Sequence, residues 1–188
     1  KDKKLKIILE ENAKISIIEI FSSCAKIKRE FVLQKNAKLN YTKIQVLDIN
    51  SRLECEYINT LKNKSSLRLN ILEYSSKSSH NKIFTNLNKN ATKLNVNILN
   101  KLNNNSFVTT EVLSEHKASK TYANVFCKSI LNDNSKAEFS PLSIVKKQAS
   151  KTQTYQYSKA LLLSDDCNIL VKPHLEILND DLEAKHGS

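Results

Sequence analysis

One property narrows the folds open to this chain more than any other: apolar residues alternate with polar ones in many short runs. Leu39 and Tyr41 in AKLNY, Leu67, Leu69 and Ile71 in LRLNI, and Leu94, Val96 and Ile98 in LNVNI all recur at a spacing of two. Successive side chains of a strand point to opposite faces, so this period means strands with one buried face. Helical spacing is never sustained beyond about two turns. Isoleucine, valine, threonine and tyrosine, which suit a pleated surface, are plentiful. The fold class expected is all-β.

A recurring phrase introduces these strands: an acid or lysine, then Asn or Asp, then a small residue, then alternation. It occurs as ENAKISIIEIF, KNAKLNYTKIQV, KNATKLNVNIL, DNSKAEFSPLSIV and DDCNILVKPHLEIL. Its second residues, Asn12, Asn36, Asn90, Asn134 and Asp166, are 24, 54, 44 and 32 apart, mostly near one or two multiples of a unit in the low-to-mid twenties. A repeat of that kind is what a solenoid of strands produces, because one coil cannot bury its apolar face without the next. Tight turns need residues with positive φ, and after glycine, asparagine tolerates that conformation best. The sequence has 22 asparagines and one glycine, which fits. An antiparallel sandwich would also alternate, but its hairpins are normally marked by Asn-Gly or Asp-Gly, and neither occurs here. A β-helix is favoured, its last rung left with unpaired backbone groups for flanking structure or a partner to cover.

The single glycine excludes phosphate-cradling loops, dinucleotide fingerprints and nucleophile elbows, each of which needs at least two. Cys24, Cys55, Cys127 and Cys167 lie far apart with no CxxC pair, so they are expected as reduced, buried residues rather than zinc ligands. The 188 residues suit one domain, 1–188, and the lack of any methionine suggests a fragment cut from a longer protein. No apolar run approaches the roughly 20 residues of a membrane span and no secretion signal opens the chain, so a cytoplasmic or organellar-matrix location is expected. The formal charge of +11 is spread along the chain, with lysine, asparagine and isoleucine enriched together as in an AT-rich genome, so no nucleic-acid or membrane partner is inferred from it. The stretch from Asp165 onward is the exception, with six acids against Lys172 and Lys185.

Among the histidines, His80 follows the polar run YSSKSS and His116 lies in LSEHKAS, so both read as solvated surface residues. His174 and Glu176 alternate with Leu175 and Ile177; if the latter face the core, the former face solvent or a partner. His186 follows Asp180 and Asp181, a set that could hold a metal or, as paired carboxylates, cleave glycosidic bonds. Neither reading is favoured on spacing alone.

The second half carries several separated motifs in order: Phe139 and Val145; Ala149, Lys151 and Thr152; Tyr155 and Gln156; Leu161, Leu162, Leu163 and Ser164; Lys172, Pro173, Leu175, Glu176 and Ile177; then Asp180, Asp181, His186 and Gly187. This pattern resembles the SufB/SufD family of iron–sulfur cluster assembly proteins, and within it the SufD branch. The resemblance implies a right-handed parallel β-helix core and a non-enzymatic scaffold that pairs with a SufB-like subunit or with itself. It also implies a SufC-like ATPase partner bound through helical segments flanking the core. It implies a transient iron–sulfur cluster at the subunit junction, none being expected in the isolated chain, with His186 as a candidate ligand shared with the partner. Pro173, His174, Glu176, Asp180, Asp181 and Gly187 then belong to the interface, Gly187 as a turn. Three positions depart from the pattern: Pro141 replaces a glycine, which should alter a turn, Ser143 a β-branched core residue, and Ala184 a cysteine. A SufB-like or homodimeric scaffold and, more distantly, a cytosolic β-helix carbohydrate-active enzyme are the alternatives.

Overall fold

The computed structural model describes residues 2–187, and among these every regular element is a strand. The strands are β1 (Asp2–Leu9), β2 (Lys14–Phe21), β3 (Ala25–Leu33), β4 (Lys38–Gln45), β5 (Arg52–Leu61), β6 (Ser66–Tyr74), β7 (Ser78–Leu87) and β8 (Lys93–Leu102). They continue with β9 (Phe107–His116), β10 (Tyr122–Leu131), β11 (Lys136–Val145), β12 (Thr152–Leu162), β13 (Asn168–Val171), β14 (His174–Ile177) and β15 (Leu182–Gly187). Odd strands up to β11 stack in order into one sheet, with β13 and β14 both on β11; even strands and β15 form the other. Every pairing is parallel, so the chain returns to the same side after each coil and stacks on itself as a β-helix. Parallel sheets buried on both faces carry nearly continuous apolar runs; here only the inner faces are buried, which is why the strands alternate.

Coil length is not constant. Asp2 pairs with Lys26, 24 residues on, whereas Lys136 pairs with Asn168, 32 residues on. The spacing of 44 between Asn90 and Asn134 is therefore not a multiple of a short unit. It runs from the entry of β8 to the entry of β11, one and a half coils, because the phrase marks turns at both corners.

The turns use positive φ, though not always at the expected residue. Asn12 (φ 64°) and Asn36 (58°) adopt it, but Ala91 takes the role in place of Asn90 and Asp133 in place of Asn134, while Asp166 is not among the positive-φ residues. Lys64, Asn104, Lys120 and Lys151 adopt it as well. A side chain there is strained by about 1–2 kcal/mol, and stacking overrides the strain. Each such residue at the turn before an even strand donates its N–H to the next coil's turn: Asn12 to Lys35 O (3.0 Å), Asn36 to Asn63 O (3.0 Å), Lys64 to Asn90 O (3.0 Å) and Lys120 to Ser150 O (2.8 Å). Asparagines also form outward-facing ladders, Asn36 Nδ2 donating to Asn12 Oδ1 (2.9 Å) and Asn97 Nδ2 to Asn70 Oδ1 (2.9 Å), since each amide carries both a donor and an acceptor.

The core lies between the sheets and changes character along the coil. In the first coils it is apolar and aromatic, built on Leu39, Leu53, Leu67, Leu69, Phe31, Tyr41 and Tyr57. Toward the last coils Thr121, Ser129, Ser143, Thr152, Thr154 and Gln156 occupy inward positions. The expectation of four buried cysteines holds for Cys55, Cys127 and Cys167; Cys24 is exposed in the β2–β3 turn, where its Sγ accepts the Arg52 N–H (3.2 Å). Cys167 donates to Ser164 O (3.0 Å), as turn hydroxyls such as Thr152 do to the carbonyl three residues back.

Of the two histidines expected at the surface, His80 is there and His116 is not. His80 sits on the outer face of β7 rather than in a loop, its Nε2 2.7 Å from Glu111 Oε1. His116 ends β9 fully buried, with Nδ1 2.7 Å from Thr121 Oγ1 and Nε2 unpartnered. Alternation placed His116 on the inner face with Val112 and Ser114, and the neighbouring charges of Glu115 and Lys117 disguised it. Burial pushes its imidazole from the ordinary 6.5 down to about 4. Below pH 6.5 the unfolded chain takes up a proton that the folded chain refuses until about pH 4. The neutral ring's contribution is thus complete above pH 6.5 and lost as pH falls toward 4, by about 3 kcal/mol in all. Urea unfolding between pH 7 and 4 should show a flatter profile for His116→Gln than for the wild type; identical slopes would refute the assignment.

Candidate functional site at the C-terminal mouth

The last rung is where the sequence-derived residues converge on one end of the coil, though not on one surface. Residues of β13 pair with the first half of β11 and those of β14 with its second half, from Asn168 beside Lys136 to Ile177 beside Val145. The break at Lys172–Pro173 lies opposite Ser140–Pro141, where two residues without an N–H cannot contribute donors to the ladder. Pro141 is therefore buried within a strand rather than in a turn, contrary to expectation. His174 and Glu176 face outward as expected, His174 beside a groove of about 430 Å³ with Glu138, Leu142 and Lys172, and Glu176 with its carboxylate 3.9 Å from Lys146 Nζ. Their inward partners are less covered than expected: Leu175 is half-buried and Ile177 is 43% exposed.

His186 is on a different surface. In β15 it pairs in register with Gln156 of β12, and Ala184 with Thr154. Gln156 and Thr154 are buried inner-face residues, so His186 and Ala184 share their inward parity, toward the space between the sheets, although His186 itself is exposed. Together with Phe139, Pro141, Gln156, Val171 and Pro173, His186 lines a pocket of about 260 Å³ at this mouth. Gln156 Nε2 donates to Ser143 Oγ (2.9 Å) and to His174 O (3.1 Å), tying the two sheets together beneath the pocket. Ser143 also bonds Thr154 Oγ1 (2.9 Å) and Ser114 Oγ (2.9 Å), so a hydroxyl in place of a branched apolar side chain creates a polar floor. Neither Gln156 nor Ser143 had stood out as a site residue. Sequence alternation would turn Tyr155 and Tyr157 inward and Gln156 outward, the reverse of what the structure shows, so nothing in it put Gln156 beneath His186.

Gly187 is not a turn. It lies in β15 beside Tyr157, where an added Cβ would meet the tyrosine ring at 3.4 Å, an ordinary contact. Asp180 and Asp181 lie in the turn before β15, where the Asp181 carbonyl accepts the Lys151 N–H (2.6 Å) and continues the turn ladder. Five residue steps, at about 3.3 Å each along the strand, separate Asp181 from His186, so these carboxylates and the imidazole form no common metal cage. Among the described residues no group of three or more His, Cys, Asp or Glu side chains is placed to hold a metal ion.

The two ends of the core differ. At the N-terminal end Arg29 donates to both oxygens of Glu19 (2.8 and 2.7 Å), and Tyr41 hydroxyl donates to the same carboxylate. Burial would raise the Glu19 carboxyl, but these bonds hold it below the ordinary range. Charge that looked scattered in sequence is also sorted by the coil. Between the first turn of one corner, which holds Glu10 and Glu11, and its last, which holds Asp180 and Asp181, the five turns 34–37, 62–65, 88–92, 117–121 and 146–151 carry nine lysines and no acid, whereas the five turns of the opposite corner from 46–51 to 163–167 carry one lysine and four aspartates. Asp165, Asp166, Glu176, Asp180 and Asp181 thus gather around the last rung. Leu161 (55% exposed), Leu163 (57%) and Leu170 (45%) add exposed apolar surface beside these acids.

The family model described as SUF system FeS cluster assembly, SufBD core domain, matches residues 2–188. Among curated proteins none matches the chain.

Proposed function

We propose, from the premise that this chain belongs to the SufBD core family of the SUF iron–sulfur cluster assembly system, that it is the β-helix scaffold of a SufD-like subunit. In this reading it acts in the cytoplasm or an organellar matrix, pairs with a SufB-like subunit through its C-terminal rung, and leaves ATP hydrolysis to a SufC-like partner. The observation that carries the reading, beside the family match, is the register that sets His186 on the inner face of β15, over a pocket it lines with Gln156 and Pro173. A partner strand can join a β-helix at a sheet edge by backbone hydrogen bonding. The cluster is cargo, not a resident group. A neutral imidazole can replace a thiolate as an iron ligand, and His186 supplies one such ligand while thiolates come from the partner. Ala184 contributes none.

The test uses the full-length protein co-produced with its SufB-like and SufC-like subunits. His186→Ala is expected to leave co-elution of the three chains unchanged and to lower bound iron and sulfide about tenfold. Undiminished iron and sulfide would overturn the role of His186, and failure of the wild-type chains to co-elute would overturn the scaffold reading.

A further inference from the structure

We infer that Gln156 is a positioning residue for His186: its Oε1, unpartnered as the side chains stand, is the acceptor onto which one ring N–H of the exposed imidazole turns, which leaves the lone pair of the other nitrogen free for a ligand. Gln156 is 1% exposed, and its amide cannot be turned round, because the His174 carbonyl 3.1 Å from Nε2 can only accept. Ser143 Oγ takes the second N–H of the same amide (2.9 Å). With both donors committed, Oε1 is left buried and without a partner. An unpaired buried carbonyl oxygen costs about 1–3 kcal/mol, so it needs a donor. The side chain directly above it is His186, which pairs with Gln156 in register, shares its face and lines the same pocket. Adjacent parallel strands are about 4.8 Å apart, within reach of an imidazole and an amide stacked in register. An imidazole N–H held by an oxygen fixes the tautomer and the ring plane, and makes the opposite nitrogen a better ligand.

The purpose of this contact rests on the cluster-ligand reading of His186, but the contact itself does not, and it is measured without iron. In full-length protein labelled with ¹⁵N-histidine, the neutral ring of His186 is expected as a single tautomer. Gln156→Leu should return it to the mixed tautomers of a solvated histidine, and Gln156→Glu, which keeps an acceptor oxygen in place, should retain the single form. In the iron-loaded complex Gln156→Leu then lowers iron content about tenfold, as loss of an outer-shell partner does. A wild-type His186 already in the solvated mixture would overturn the inference, whether or not Gln156→Leu folds. So would a folded Gln156→Leu protein with an unchanged tautomer. Either result leaves the His186→Ala test of cluster assembly standing on its own.

Discussion

Glu73→Ala is expected to lower the unfolding free energy by about 3–5 kcal/mol, a large share of the roughly 5–15 kcal/mol available to a domain. Lys43 and Glu73 are both fully buried, with Nζ 2.5 Å from Oε1, and Asn81 bridges them by accepting from Lys43 (2.7 Å) and donating to Glu73 (2.8 Å). Burial pulls the Lys43 ammonium down, yet the carboxylate of Glu73 outweighs this and holds it above the ordinary lysine value. Truncating Glu73 leaves a cation in the core with one amide oxygen for company. The cost therefore comes mainly from the stranded charge rather than from a lost attraction. That distinction is testable, because replacing all three polar groups together (Lys43→Met, Glu73→Leu, Asn81→Leu) should recover most of the loss. Urea unfolding of both variants decides it; a triple variant as unstable as Glu73→Ala would show that the pair contributes net stability.

Phe31→Ala should cost about as much, roughly 3–5 kcal/mol, for a different reason. Phe31 is fully buried, with ring centroids 4.9 Å from Tyr41 and 6.3 Å from Tyr57, while the two tyrosines lie 5.8 Å apart. These rings come from β3, β4 and β5, so the cluster joins both sheets and two successive coils. Removing the ring opens a cavity where three elements meet and none can collapse alone. Phe31→Leu, which keeps most of the apolar volume, should lose about half as much. Because coils contact only their neighbours, hydrogen exchange should quicken mainly in β1–β6 and leave β12–β15 protected. Uniform loss of protection would mean that the coil opens as one unit. The same locality implies that damage to the first coils need not disturb the mouth that holds His186.

Several of these sites follow directly from the alternation that defines the strands. Leu39 and Tyr41 lead by steps of two to Lys43, and Leu67, Leu69 and Ile71 lead to Glu73, so parity alone places both charged residues inside. Reading charge as a surface marker hides them, as it hides His116. The terminal motif was legible as a separate acidic stretch, and its family resemblance pointed to His186. Gly187 and Pro141 were misjudged because both residues are ordinarily read as turn formers, whereas here both lie within strands, Pro141 opposite the break between β13 and β14.

Strand identity, face parity and the need for stacked coils were thus determined by the sequence, since they depend on residues two apart and on turns a few residues long. Pairing between coils was not, because it joins residues about 30 positions apart through turns of unequal length. Gln156 lies under His186, nine lysines meet at one corner, and Lys43 finds Glu73 only once those turn lengths set the register. A shift of one residue would turn each of these side chains to the opposite face. The tertiary structure alone decided which inward-facing polar residue met which partner.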